Sequence, residues 1–190
     1  MTAPSAPRPP ARDADAGRPS AAPSRLVVRR LDLRWLDDVL ALQALAVAEL
    51  PADQFAALGR ADVERTFGPQ GVVHGAFLGP RLVAYQSLLA YGDGADNLGR
   101  DLGATDLGSV VNLEETVVHP DARGRGLNDR LTQRSRRWAR EAGFRTLATT
   151  ISPFNVPSLK SHMRAGFALA VLVPKYGGAW RYVLAIALAG

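Results

Sequence analysis

The sequence predicts an α/β domain built on a mixed sheet. Strand-length apolar runs alternate along the chain with segments of helical periodicity. Glycine and proline sit between these segments, where turns and caps need them. The chain has 190 residues, 47% of them hydrophobic, enough to bury a core of one domain's size.

Residues 25–31 (Arg-Leu-Val-Val-Arg-Arg-Leu) read as the first strand. Asp32 is placed to cap the next segment. Leu36, Val39, Leu40, Val47 and Leu50 then share a helical face, and Pro51 ends the run. Residues 53–67 read as a second helix, weakened by Gly59. Residues 72–78 and 81–89 form a hairpin around Gly79-Pro80. Residues 92–109 hold five Gly and four Asp and read as a long mobile loop. A strand spans 110–119 and Pro120 closes it. A helix follows over 126–142, stopped by Gly143. A strand at 145–151, a short helix at 156–165 stopped by Gly166, and strands at 167–173 and 180–188 complete the domain. The apolar ending Tyr182–Ile186 fits either a core strand or the sheet of a homodimer.

Residues 1–24 differ in kind. Ala, Pro, Ser and Gly make up 17 of them, and after Met1 no large apolar side chain occurs. Such a segment buries too little surface to offset the entropy of ordering, so it reads as a disordered extension ahead of a domain at 25–190. It lacks the apolar centre of a secretory signal.

Composition excludes several classes. With no cysteine there is no disulfide, thiolate metal site or cysteine nucleophile, and a reducing, cytoplasmic setting is the expectation. Three histidines make a multi-histidine zinc site a poor reading, and no metal is expected. No apolar run reaches the roughly 20 residues of a membrane helix. The net charge of +5 is nearly all arginine and too modest to carry a nucleic-acid reading.

The most informative stretch is Val117-Val118-His119-Pro120-Asp121-Ala122-Arg123-Gly124-Arg125-Gly126-Leu127-Asn128-Asp129. A strand ends, a glycine loop follows and a helix begins. The first helical turn has unpaired N–H groups at the positive end of its dipole, and glycine lets backbone approach an anion. This combination is a recipe for a phosphate cradle. It is not a P-loop, which needs Gly-Lys-Ser/Thr, nor a dinucleotide fingerprint, which would need glycine where Asp129 stands. From glycine spacing alone, a plain strand-to-helix turn stays open.

Leu113-Glu114-Glu115-Thr116-Val117-Val118-His119-Pro120, followed by Arg123-Gly124-Arg125-Gly126, resembles the central motif of the GNAT acyl-CoA N-acyltransferases. Asn155-Val156-Pro157-Ser158, then His162 and Ala165-Gly166-Phe167, resembles that family's later motif. The resemblance implies a mixed, mostly antiparallel sheet flanked by helices. It implies acetyl-CoA as the acyl donor, its diphosphate held by main-chain amides of Arg123, Gly124, Arg125, Gly126, Leu127, Asn128 and Asp129. It also implies amides at Val117 and Val118 that polarise the carbonyl, where the central strand splays from its neighbour. Asn155 and Ser158 are expected on the pantetheine arm, with helix capping as Asn155's alternative role. Two positions depart from the pattern. Asn128 stands where the motif carries Gly or Ala. His162 stands where a tyrosine usually protonates the leaving thiolate, a role histidine can also fill.

Acyl transfer to an amine needs a base, and Glu114 and Glu115 are the candidates. Strict alternation puts Glu115 with Leu113 and Val117, and Glu114 with Asn112, Thr116 and Val118. The second face is more polar and favours Glu114. Either carboxylate can instead bind substrate or pair with arginine. The implied acceptor is a small-molecule or peptide amine. The rival reading is a CoA-binding regulatory domain without transferase activity.

Overall fold

A computed structural model describes residues 25–188. The expected extension at 1–24 lies outside the described residues. Seven strands and four α-helices follow one another in the order read from the sequence: β1 (Leu26–Leu31), α1 (Leu36–Glu49), α2 (Arg60–Thr66), β2 (Gly71–Leu78), β3 (Arg81–Leu89), β4 (Val110–Val118), α3 (Leu127–Glu141), β5 (Thr146–Ile151), α4 (Val156–Arg164), β6 (Ala168–Lys175) and β7 (Ala179–Ala187).

The strands form one sheet in the order β1-β2-β3-β4-β5-β7-β6. Every neighbouring pair is antiparallel except β4 and β5. β7 lies between β5 and β6, so Tyr182–Ile186 belongs to the core of this sheet. Helices cover both faces. On one, Val39, Leu42 and Ala46 of α1 pack with Val73, Phe77 and Tyr85. On the other, Leu131 of α3 packs with Ala76 and Ala84, and Ala139 with Val72, Leu88 and Leu147.

Local details differ from the sequence reading. The second helix begins at Arg60, not 53, with Gly59 as its N-cap in extended conformation. Asp32 caps a single 3-10 turn at Leu33–Trp35, its carboxylate accepting from the Arg34 N–H at 3.1 Å. The buried stripe of α1 is Leu36, Val39, Leu42, Gln43 and Ala46, and Val47 faces solvent. The 92–109 loop is internally tied. Asn97 is buried and donates to the carbonyls of Gly92 (2.6 Å) and Leu107 (2.9 Å). Asn112 of β4 accepts from the Leu98 N–H at 3.2 Å and donates to the Asp96 carbonyl at 2.9 Å. Leu98 packs on Val110, Ala148 and Val183. Two buried asparagines thus supply the hydrogen bonds that a glycine-rich backbone otherwise takes from water.

Two irregularities mark β4. β4 and β5 pair only over Val110–Asn112 against Thr146–Ala148, then separate into a fork. The Thr149 hydroxyl donates to the Leu113 carbonyl at 2.9 Å at its apex. On the other edge the β3 register shifts: Ser87 faces Glu115 and Leu88 faces Leu113, so Glu114 is an extra, bulged residue.

Candidate active site

The fork opens into a cavity of about 690 Å³ between β4, β5, the N-termini of α3 and α4, and the chain after α1. Every site residue expected from the sequence lines it except Arg125.

At one end lies the glycine loop. Gly124 and Gly126 have φ of 74° and 67°, and Gly126 is the N-cap of α3. The left-handed turns expose the peptide N–H groups of residues 124–129, which meet no acceptor among the described residues. They stand at the positive end of the 15-residue α3. The side chains nearby have other work. Arg123 pairs with Glu49 of α1. Asp129 accepts from Gln133 at 3.1 Å. Leu127 is buried in the core. Asn128 is also buried: its amide donates to the Ser161 hydroxyl of α4 at 3.0 Å, and its oxygen faces Gln86 and Thr132. It therefore ties α3 to α4 and turns away from the anion end.

Along the fork only alternate amides are free. The His119 N–H donates to the Val83 carbonyl at 2.8 Å, across to β3. By alternation the Val117 N–H points the same way, while those of Thr116 and Val118 point into the fork. The Val117 N–H is thus committed to the sheet, and the N–H groups that face the fork are those of Thr116 and Val118.

The bulge overturns the alternation expected of the glutamates. Leu113 packs on the α3 face, while Val117 lies on the α1 face with Glu115. Glu115 is 2% exposed and saturated. It accepts from Gln43 Nε2 (2.8 Å), the Leu58 N–H (2.9 Å) and the Tyr85 hydroxyl (2.7 Å). It ties α1, the segment before α2 and β3 together. Glu115→Ala would strand three donors, so a loss of about 3 kcal/mol in denaturant melts is expected, each orphaned group costing ~1–3 kcal/mol.

Glu114 is only half-buried, and the Tyr91 hydroxyl donates to it at 3.2 Å. Burial pushes its carboxyl up to about 7; hydrogen bonding from the Tyr91 hydroxyl and the Asn112 side chain opposes the rise, and the Glu115 and Asp96 charges add to it.

On α4, Asn155 carries the N-cap: its oxygen accepts from the Ser158 N–H at 3.1 Å. Its amide reaches toward the Gln54 carbonyl at 3.4 Å. Asn155 is the cap and also lines the cavity, as does Ser158, whose hydroxyl lies 3.4 Å from His162 Nδ1. His162 is buried against Phe167, ring centroids 5.4 Å apart. Its Nδ1 donates to the Ser158 carbonyl at 2.9 Å, while buried Nε2 has no partner among the described residues. Burial holds its pKa below the ordinary value. A neutral ring with its proton on Nδ1 has none on Nε2 to give, which speaks against the expected acid role.

The model of the acetyltransferase (GNAT) family matches residues 39–167. The chain belongs to this family.

GNAT acetyltransferases as a family take their acetyl group from acetyl-CoA. The loop fits that donor, with unfilled N–H groups where a diphosphate needs them. The fold agrees with solved structures. The N-acetyltransferase of Staphylococcus aureus Mu50 superposes with a TM-score of 0.67 at 17% identity, over 87% of this chain and 100% of that one. yncA of Salmonella typhimurium, solved with its cofactor acetyl-CoA, gives 0.66 at 18% identity, over 86% and 94%. The ribosomal-protein-S18-alanine N-acetyltransferase of Escherichia coli gives 0.64 at 13% identity, over 87% and 96%. No curated protein matches the chain by sequence. Among the described residues no helix is long and apolar enough to cross a membrane.

Three further residues line the cavity with little trace in the sequence. Thr116 and Ser161 carry no signal of their own. Arg181, buried at the far wall, is visible only as a charge inside an apolar strand.

Proposed function

We propose that this acetyltransferase moves the acetyl group from acetyl-CoA to a primary amine by direct attack within a ternary complex. The carrying observation is one continuous groove, running from the unfilled N–H row at 124–129, along the fork, to Glu114. Acetyl-CoA supplies a thioester carbonyl open to attack by an amine. The N–H groups of residues 124–129, with the α3 dipole, receive its diphosphate. One of the two N–H groups aimed into the fork, that of Thr116 or that of Val118, donates to the carbonyl oxygen as charge grows there; two residues apart on a strand they stand about 6.6 Å from each other, too far to share one oxygen. Glu114 takes the proton that the ammonium must lose. The N–C bond forms as the C–S bond breaks, sulfur keeps the electron pair, and the nitrogen's second proton passes to the departing thiolate, which leaves as free thiol. No cysteine exists to carry a covalent acyl group. The thiolate is an adequate leaving group without a dedicated acid, which agrees with His162 lacking a proton on Nε2. In this reading residues 25–190 are the transferase domain of a cytoplasmic enzyme and 1–24 an appended segment.

The test has two stages. Acetyl-CoA at about 100 times its Kd should stabilise the protein by ~2.7 kcal/mol, read as a rise in Tm of several degrees. An amine panel should then release free thiol with a product mass one acetyl group heavier. Initial-rate lines should intersect, as a ternary complex requires. A melting shift with no thiol release from any amine would leave the regulatory, CoA-binding domain standing instead.

A further inference from the structure

Arg181 is the third residue of β7 and is 3% exposed. Its side chain is on the sheet face of Val183, which packs with Leu98, Val110 and Ala148 beneath the 92–109 loop. It lines the same cavity as Glu114, Thr150 and Tyr176. Among the described residues its guanidinium makes no ion pair and no hydrogen bond, and its buried Nε has no partner. Its neighbour is the Tyr176 ring, 5.6 Å from the guanidinium carbon. That contact takes no hydrogen bond, so the guanidinium N–H groups stay unspent.

A buried cation without a partner costs folding free energy. The region does not lack the means to pair cations, because Lys175, at the end of β6, pairs with Asp101. The opposite polarity also faces the cavity. Glu114 and Asp96 act on Tyr176 as negative charges while Arg181 acts as a positive one, which puts all three within electrostatic reach of one side chain. The diphosphate has its own donors at 124–129, so Arg181 is not needed there.

We propose that Arg181 receives a carboxylate on the acceptor, making the preferred substrate a zwitterion: an amino acid or similar amine that carries a carboxylate. This rests on the amine-acetylation reading and narrows it. Glu114 takes the ammonium end, and Arg181 takes the carboxylate through two parallel N–H donors.

The test uses the twenty standard amino acids, each beside its carboxamide and its decarboxylated amine, on the wild-type protein and on Arg181→Gln. For the preferred amino acid, wild-type kcat/KM should exceed that of its carboxamide and amine by about tenfold or more, mostly through KM, as expected for one charge-assisted contact. R181Q should reduce that amino acid to the level of its uncharged analogues. Because the unpaired cation opposes folding, R181Q should melt at or above the wild type. A second readout needs no turnover: with CoA present, the preferred amino acid should raise the Tm of wild type and not of R181Q. Equal use of carboxylate-bearing and uncharged amines overturns the proposal, as does a uniform loss across all acceptors in R181Q. Thiol release from no amine, with the carboxylate-dependent melting shift intact, would sink the transfer reading and keep the Arg181 site. Absence of that shift as well would overturn the site.

Discussion

Glu114→Gln is expected to lower kcat by about 10²- to 10⁴-fold, the range a positioned general base contributes. The substitution keeps the side chain's shape and its contact with Tyr91 but removes the ability to hold a proton. The pH dependence gives the sharper test. With its carboxyl pushed up to about 7, Glu114 is protonated and idle below that pH and ionised above it. Wild-type kcat/KM should therefore rise through a limb with a midpoint near 7, and E114Q should lose this limb while keeping any step that belongs to the acceptor amine. Stability should move the other way. The native state binds this proton more tightly than the unfolded chain does, so the group's contribution is full below the ordinary carboxyl range and lost as pH rises through about 7. E114Q should thus be flatter in stability from pH 5 to 8, and at pH 8 more stable than the wild type in urea melts. A variant that gains stability while losing turnover marks a group held at a folding cost for its chemistry. Unchanged kcat, or a limb near 7 that persists in E114Q, would remove Glu114 from the role.

Much of this architecture is legible in the chain because its punctuation is strong. Gly79-Pro80, Pro120, Gly143 and Gly166 stand at element ends, and glycine or proline there has little alternative use. The anion end of the site is legible for the same reason, since Gly124 and Gly126 adopt the backbone angles that glycine permits. The bulge at Glu114 is not legible. Alternation reports a slipped residue only where one face is polar, and β4 is covered on both sides, by α1 and by α3. Leu113 and Val117 look like residues of one face and belong to opposite ones. Division of labour between the glutamates is hidden too, because Glu115 meets its partners Gln43, Leu58 and Tyr85 only in the folded chain. Arg181 is hidden in the same way: its burial depends on what β5, β6 and the 92–109 loop place around it.

Gly126→Val is expected to weaken acetyl-CoA binding by roughly 30-fold or more. The obstacle is conformation, not space: a Cβ built at Gly126 meets nothing within 4 Å, yet φ is +67°. An L-residue in this left-handed region costs roughly 1–2 kcal/mol, and a β-branched one fits it worst. The chain escapes the strain by leaving the region, which re-aims the N–H groups at the start of α3. Loss of even one charge-assisted hydrogen bond to the diphosphate, about 2 kcal/mol, gives a factor of roughly 30. Gly126→Asn separates the two explanations, because asparagine is the side chain that enters this region most readily and is larger than alanine. If conformation decides, Asn should retain most of the acetyl-CoA melting shift, Ala should lose part of it and Val nearly all. If bulk decides, Asn and Val should fail alike and Ala should survive. The conformational order supports anion capture by the backbone. The bulk order would mean that the diphosphate lies against Gly126 itself and that the peptide N–H groups of 124–129 are not its principal donors.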